Sequence, residues 1–320
     1  MSRVWVHLLT PPLQPEDFDL TTWQRDYTGA LPWDGETSQG VSDTFREAVL
    51  TSVPAAGFPL NGHNAALYNN QGRNSRTTKI AGGAAVVGDD VVTNAAFTFS
   101  ILADVSGGGK LPTQPYFAAA FYQGDAHWGV GFYSEASMGS QNPTITFDAG
   151  AQTITRSAGN WITDGFTTGR SVYISETASN NGVKGVPEIV TATVLTFAEG
   201  IVTEAGSVLP RIIAGQSKIR CFVFTGAWSF VEANVDPGLR WIYVRHTTGF
   251  TQIDIDGAAG SNQAHTDHAG ANVIAMKSNT DYTEPLTFRQ YERFTSKTAH
   301  SDAYKNAYRL YLNERYGLSF

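Results

Sequence analysis

Apolar residues in this chain alternate with polar ones over short runs far more often than they recur at helical spacing. Such runs fill Ala96–Ala103, Trp128–Tyr133, Ile219–Phe224, Trp241–Arg245 and Gln252–Asp256, and Gly, Asn, Ser or Asp residues separate them. In the last run Ile253 and Ile255 share one face while Asp254 and Asp256 share the other, the pattern of a half-buried strand. His246–Thr251, between the last two runs, contains Gly249 and predicts a hairpin loop. Many short strands with frequent turn signals predict an all-β fold, an antiparallel sandwich.

One segment breaks the alternation. Over Ser301–Tyr316, Tyr304, Tyr308, Tyr311 and Leu312 fall on one helical face and Lys305, Arg309 and Glu314 elsewhere. Ser301 or Asp302 can cap its start and Gly317 its end, which predicts a C-terminal helix packed on the sandwich rim. Residues 143–206 change character in another way, being richer in Thr and Ser with shorter strands. Five or six strands there, anchored by Trp161 and Phe166, predict a small β-barrel. The larger β pattern stops before this segment and resumes at Ile219, so the expected organisation is a module inserted into a discontinuous sandwich (34–142 and 207–320). Residues 1–33 predict a first strand and an extended, proline-interrupted arm.

Composition narrows the function classes. The 320 residues carry 22 Lys+Arg against 29 Asp+Glu, a formal charge of −7 without a basic run, which excludes an electrostatic footprint for nucleic acid. With 18 Phe, 13 Tyr and 7 Trp the chain can fill a large core. The single cysteine, Cys221, excludes an internal disulfide and any cysteine-based zinc site. No window approaches the roughly 20 apolar residues of a spanning helix, and no basic-then-apolar leader opens the chain, so a soluble protein without membrane insertion is expected.

The runs Phe97–Val105, Ala119–Tyr133 and Lys218–Gly257 resemble a concanavalin A-like, laminin-G-like lectin sandwich. The resemblance is clearest in Asp236-Pro237-Gly238, Trp241–Arg245 and Ile255-Asp256-Gly257, and the helix ending on Arg315-Tyr316-Gly317 is similar to one in bacterial and phage versions. Within the insert, Ile145–Asp148, Ile154–Ser157, Gly159, Trp161, Asp164–Phe166, Gly169 and Ser179–Gly182 resemble a small module of bacteriophage structural proteins. The resemblance implies a non-enzymatic virion protein: a head decoration or fibre, or a tail or receptor-binding component. It would be made in the host cytoplasm, built into a homo-oligomer or against other virion subunits, and touch host-surface polysaccharide. A free carbohydrate-binding lectin module is the alternative, and a polysaccharide-degrading enzyme stands behind both.

Catalysis on such a fold needs paired carboxylates. Asp254 and Asp256 lie two apart, but the E-x-D-x-x-E signature is missing, as are a G-x-S-x-G elbow and an H-E-x-x-H helix, so no catalytic residue and no cofactor is assigned. Ser106–Lys110 lacks phosphate-loop spacing and reads as a turn. Asp254, Asp256, His265, Asp267 and His268 supply oxygen and imidazole donors in a spacing that matches no stereotyped metal motif, so no metal site is assigned and a bound cation stays open. For glycan binding an aromatic face beside polar groups is required, which Trp128 with Asp125, or Trp228, can supply; core packing accommodates either tryptophan too. Trp5, Phe18, Trp23 and Tyr27 of the arm and Trp161 and Phe166 of the insert are the candidate subunit-interface residues.

Overall fold

The computed structural model describes residues 22–24, 48–50, 55–68, 78–80, 96–105, 109–110, 116–123, 126–138, 143–207, 210–267, 273–279, 288–296 and 298–320, some of them by backbone alone. The first sheet has eight strands. Its order is β21 (Asn262–Ala264), β20 (Phe250–Ile255), β19 (Leu239–Thr247), β6 (Ala96–Asp104), β23 (Phe288–Ser296), β4 (His63–Tyr68) and β3 (Ala55–Leu60), with β1 (Thr22–Gln24) also on β23. The second runs β13 (Gly182–Gly185), β12 (Val172–Ser175), β17 (Arg211–Phe224), β9 (Ala126–Ser137), β8 (Tyr116–Gln123) and β22 (Val273–Asn279). Here β18 (Trp228–Val235) pairs with β17, and β7 (Gly109–Lys110) pairs with β9, the only parallel pair among the described residues. A third sheet orders β14 (Ile189–Val190), β15 (Val194–Thr196), β11 (Thr153–Arg156), β10 (Ile145–Asp148) and β16 (Glu204–Ser207), and β2 (Ala48–Leu50) pairs with β5 (Thr78–Ile80). This is an antiparallel β-sandwich, as the alternation predicts.

Period-two patterning fills the interior. Phe97, Phe99 and Ile101 of β6 lie opposite His246, Val244 and Ile242 of β19, and all six are buried. On the second sheet Val130, Phe132, Ile219, Cys221 and Val223 are buried as well. Turn chemistry sets two hairpin ends. Asn61 and Gly62 both take positive φ between β3 and β4, and Asp256 and Gly257 do so where Ile255 and Ala258 exchange both backbone hydrogen bonds. The β19–β20 loop is shorter than the sequence suggests. Pairing runs through His246↔Thr251 to Thr247↔Phe250, which leaves only Thr248 and Gly249 in the turn. His246 and Thr251 are held as a cross-strand pair, Nδ1 to Oγ1 at 2.9 Å.

Helix α1 (Asp302–Tyr316) starts at the Ser301 cap and stops at Gly317, whose φ of 66° is left-handed. It lies on the outer face of the first sheet instead of on the rim. Tyr308, Tyr311, Leu312 and Tyr316 pack on Leu102, Trp241, Tyr243, Tyr291 and Phe294. Each such fully buried side chain contributes about 1.5–3 kcal/mol. Two buried carboxylates fix the rotation of the helix. Glu292 accepts from Tyr308 Oη, from Tyr311 Oη at 3.2 Å and from Tyr316 Oη at 2.9 Å. Asp254, with no exposure, accepts from Gln252 Nε2 (2.8 Å) and Gly260 N (2.8 Å) on Oδ1, and from Arg245 Nη2 (3.1 Å) and Lys305 Nζ (2.8 Å) on Oδ2. Gly260 is required there, since a Cβ would sit 2.1 Å from the Ile253 carbonyl oxygen. The predicted tyrosine face therefore needs one exchange: Lys305 is buried and Tyr304 is exposed.

Residues 143–206, expected as an inserted barrel, contain an open sheet and no closed barrel, because the five-stranded path ends unjoined on β14 and β16. β12 and β13 leave that sheet and extend the second one, with Val172↔Ala214 and Ser175↔Arg211 as the ends of the β12–β17 register. The resulting core joins Ile145, Phe147, Ile154, Trp161, Phe166, Val172, Ile174, Leu195, Phe197 and Ile201 to Ala136, Met138, Ile212 and Ala214 at the ends of β9 and β17. Trp161 and Phe166 are fully buried in edge-to-face contact, 4.8 Å between centroids, and so present no surface to a neighbouring subunit. Arg156 stacks 4.5 Å over Trp161 and pairs with Asp164 at 2.5 Å. β17 bends where it passes from one core to the other. Gly215 (φ +77°) sits there against Glu135, whose Oε2 would lie 2.1 Å from any added Cβ. No helix among the described residues is long and apolar enough to cross a membrane.

Trp161→Ala is expected to lower stability by about 3–5 kcal/mol, read as a fall in the denaturant midpoint. Asp254→Ala is expected to cost about 3–5 kcal/mol by leaving Lys305 and Arg245 without their buried acceptor. Asp254→Leu combined with Lys305→Met should recover part of that loss.

Candidate functional site

Alternation along β17 and β18 places Lys218, Arg220 and Phe222 on one face, opposite Asn234, Glu232 and Phe230. The other face carries Ile219, Cys221, Val223 and Val231 into the interior. On the outward face Phe230 keeps 52 % of its surface exposed. The Arg220 guanidinium sits 4.5 Å from the centre of that ring and 5.0 Å from the centre of the buried Tyr133 ring. Glu232 accepts from Arg220 through Oε1 and from Lys218 Nζ through Oε2 at 2.9 Å. Burial works against the Glu232 charge, but hydrogen bonds and positive charge from Lys218 and Arg220 outweigh it and hold the carboxyl below its ordinary value. Burial pushes the Tyr133 phenol well up, so it stays protonated.

The opposite sheet braces this hairpin. Gln263 on β21 donates through Nε2 to the Glu232 carbonyl at 2.8 Å and accepts from Glu232 N at 3.3 Å. The side-chain amide thereby satisfies backbone groups along the edge of β18. Phe250, itself 49 % exposed, faces Ala264 of the same β21 across the β20 ladder. The result is a fixed, partly exposed surface with an open aromatic ring, a carboxylate and two cationic donors within one cross-strand cluster. Such a surface can stack the C–H face of a sugar and hydrogen-bond its hydroxyls.

The carboxylates weighed for catalysis are engaged elsewhere. Asp254 is closed under the helix by four donors. Asp256 accepts from Trp241 N at 2.8 Å and from Arg240 Nη1 at 2.9 Å. His265 Nδ1 lies 2.8 Å from Thr251 Oγ1, and Asp267 accepts from Gly249 N at 2.5 Å and lies 3.3 Å from His246 Nε2. The cation donors of the sequence therefore fall into three separate clusters, and His268 lies outside the described residues. No group of three or more His, Cys, Asp or Glu among the described residues is arranged to hold a metal. Cys221 is buried, and burial raises its thiol pKa, which leaves it a packing residue.

The remaining sequence candidates divide by position. Trp228 opens β18 opposite Phe224, two residues before Phe230, and Trp128 on β9 lies between Phe121 and Val223. Their side chains lie outside the described residues, as do Asp125, Trp5, Phe18 and Tyr27. Trp23 pairs with Phe294 through the backbone of β1. The cluster that the structure does assemble, Lys218, Arg220, Phe230 and Glu232, follows from the alternation of two strands folded across Thr225–Ala227.

No protein-family model matches the sequence, and no curated protein matches it. Among solved structures the chain is similar to the botulinum neurotoxin serotype G binding domain, at 10% identity over 92% of this chain and 51% of that one, with a TM-score of 0.48. It is also similar to the binding domain of Paraclostridial mosquitocidal protein 1, at 7% identity over 92% and 53%, TM-score 0.46. A third is the serotype D binding domain solved in complex with N-acetylneuraminic acid, at 8% identity over 91% and 50%, TM-score 0.34. The chain spans about half the length of these structures.

The His246–Thr251–His265 cluster generates a pH prediction. Burial, aided by the nearby His246, pushes the His265 pKa down from 6.5 to about 4, against the opposing pull of the Ser229 backbone and Asp267. The unfolded chain takes up a proton on this residue below pH about 6.5, which the folded chain refuses until about 4. Stability is therefore expected to fall as pH drops through that window. Unfolding midpoints measured from pH 7 to 4.5 should show a smaller fall in His265→Asn than in the unaltered protein.

Proposed function

We propose that this chain is a non-catalytic adhesive protein that contacts carbohydrate through the outward face of the β17–β18 hairpin. The half-exposed Phe230, clamped by Arg220 beside Glu232 and Lys218, is the observation that carries the reading. An exposed aromatic ring in a braced polar setting loses little entropy when a sugar docks, because the hydrogen-bonding groups are already held in place. The engagement of Asp254 and Asp256 in structural pairs supports a binding role over hydrolysis, since Asp254 is fully buried and Asp256 is held by Trp241 N and Arg240.

The setting we propose is a bacteriophage particle, as a head decoration, fibre or receptor-binding component with other virion subunits as neighbours. Its support is the sequence resemblance of the sandwich and the insert, together with a low charge density suited to dense packing. The polysaccharide of a host surface is the proposed ligand class.

A glycan array followed by titration of the best ligand tests the binding site. Phe230→Ala is expected to weaken binding about tenfold, the loss of one stacking contact, with unchanged thermal stability. Unaltered affinity in that variant would move the site elsewhere on the sandwich. Release of reducing sugar by the unaltered protein would overturn the non-catalytic reading. Mass spectrometry of purified phage particles tests the setting, and absence of the chain from particles would leave the free lectin.

A further inference from the structure

Residues 183–202 expose apolar side chains that the sugar-binding proposal does not use. Val183, Val186, Ile189 and Val202 are 68%, 47%, 54% and 48% exposed, while Leu195, Phe197 and Ile201 of the same stretch are buried. Three of them lie on one passage of chain. β13 is the end strand of the second sheet and β14 the end strand of the third, and Val186–Glu188 joins them. Pro187 is buried and anchors the crossing, while Lys184 reaches across to the Gly200 carbonyl at 2.9 Å, beside Val202.

The order of residues along this passage is symmetric about Val186. Val183 and Ile189 stand three places to either side, and Lys184 and Glu188 stand two places to either side with opposite charges. We infer that this passage is a two-fold contact between two copies of the chain, laid antiparallel with Val186 on the axis. Val183 of one copy then meets Ile189 of the other, and Lys184 meets Glu188 twice over. Closed two-fold dimers require such self-complementarity, with one patch serving both subunits. A generic partner would not need the charges placed at mirrored positions. Lys184 has three donors, so it can keep the Gly200 carbonyl and still reach a carboxylate of the second copy. The small apolar area of the contact places the dimer in the weak, concentration-dependent class.

Sedimentation velocity over a concentration series, up to the highest soluble concentration, tests this with the whole chain. The unaltered protein is expected to pass from monomer to dimer, and Val186→Asp to remain monomeric. Lys184→Glu and Glu188→Lys are each expected to weaken dimerisation about tenfold, because attraction becomes repulsion at both symmetric pairs. The two charge variants mixed in equal amounts should recover dimer, since a heterodimer restores both opposite-charge pairs. Circular dichroism should show all variants folded, as these side chains lie at the surface. A monomer at every concentration overturns the proposal, as does a dimer insensitive to Val186→Asp or a mixture no more associated than its components. Loss of sugar binding in Phe230→Ala leaves this result unchanged, so the two readings fail separately.

Discussion

A carboxylate buried without any exposure sets the terms for the C-terminal half of the sandwich. Asp254 sits on β20 at a position that strand alternation would turn to solvent, and an ionised group there is costly unless each oxygen finds donors. It finds four, from its own strand, from the following loop, from β19 and from α1. Satisfying that carboxylate requires the helix to lie across the outer face of the first sheet, with Lys305 turned inward and Gly260 tucked against Ile253. Glu292 sets a second anchor one to three turns further along through three tyrosine hydroxyls. The apolar contacts of Tyr308 and Leu312 supply the larger energy, but they are non-directional. The charges select one docking rotation among those that bury the same surface.

The other organising feature is the length of β17. Its 14 residues run from the core of the insert, where Ile212 and Ala214 are buried, to the outward cluster of Lys218 and Arg220. The bend at Gly215 marks the change of partner core. Ion pairs cross the same junction: Glu176 meets Arg211 at 2.6 Å and Arg289 at 2.9 Å, and Arg289 meets Asp104 at 3.3 Å. Glu176 holds a left-handed φ of 66°, a costly conformation for a non-glycine residue and one that needs firm surroundings. These links tie the insert to the sandwich through backbone ladder, shared core and charge at once.

What could be read in the sequence follows from how local each signal is. The helix was legible to its caps because Ser301 and Gly317 act within a turn of the residues they terminate. The sandwich was legible from alternation alone, and so was the β19–β20 hairpin. Its loop is shorter than residue polarity implies, because the polar His246 and Thr251 pair across the ladder and hydrogen-bond each other inside the fold. The aspartates misled for a related reason. Period two says that Asp254 opposes Ile253, but not that a helix nearly fifty residues later will cover it. Trp161 and Phe166 looked available as surface anchors because the ends of β9 and β17 that bury them are distant in sequence. The Arg220–Phe230–Glu232 cluster needs the exact pairing of two strands, which a single-strand pattern does not specify.

The placement of the two proposed surfaces has a consequence for binding strength. Carbohydrate contacts built on one aromatic ring and a few hydrogen bonds are weak, since much of the gain is cancelled by water already bound to the same hydroxyls. The shared core and the β12–β17 ladder connect the Arg220 face to the edge near Val186, so a two-fold contact there would set the distance between two such faces without new flexible chain. On the proposed reading, the second face would engage at an effective concentration set by geometry, which would turn modest single-site affinity into firmer attachment to a repeating ligand. A flexible tether would lose part of that gain to entropy. Shared core and ladder between insert and sandwich are thus what an adhesive protein requires if its strength comes from repetition and not from any single pocket.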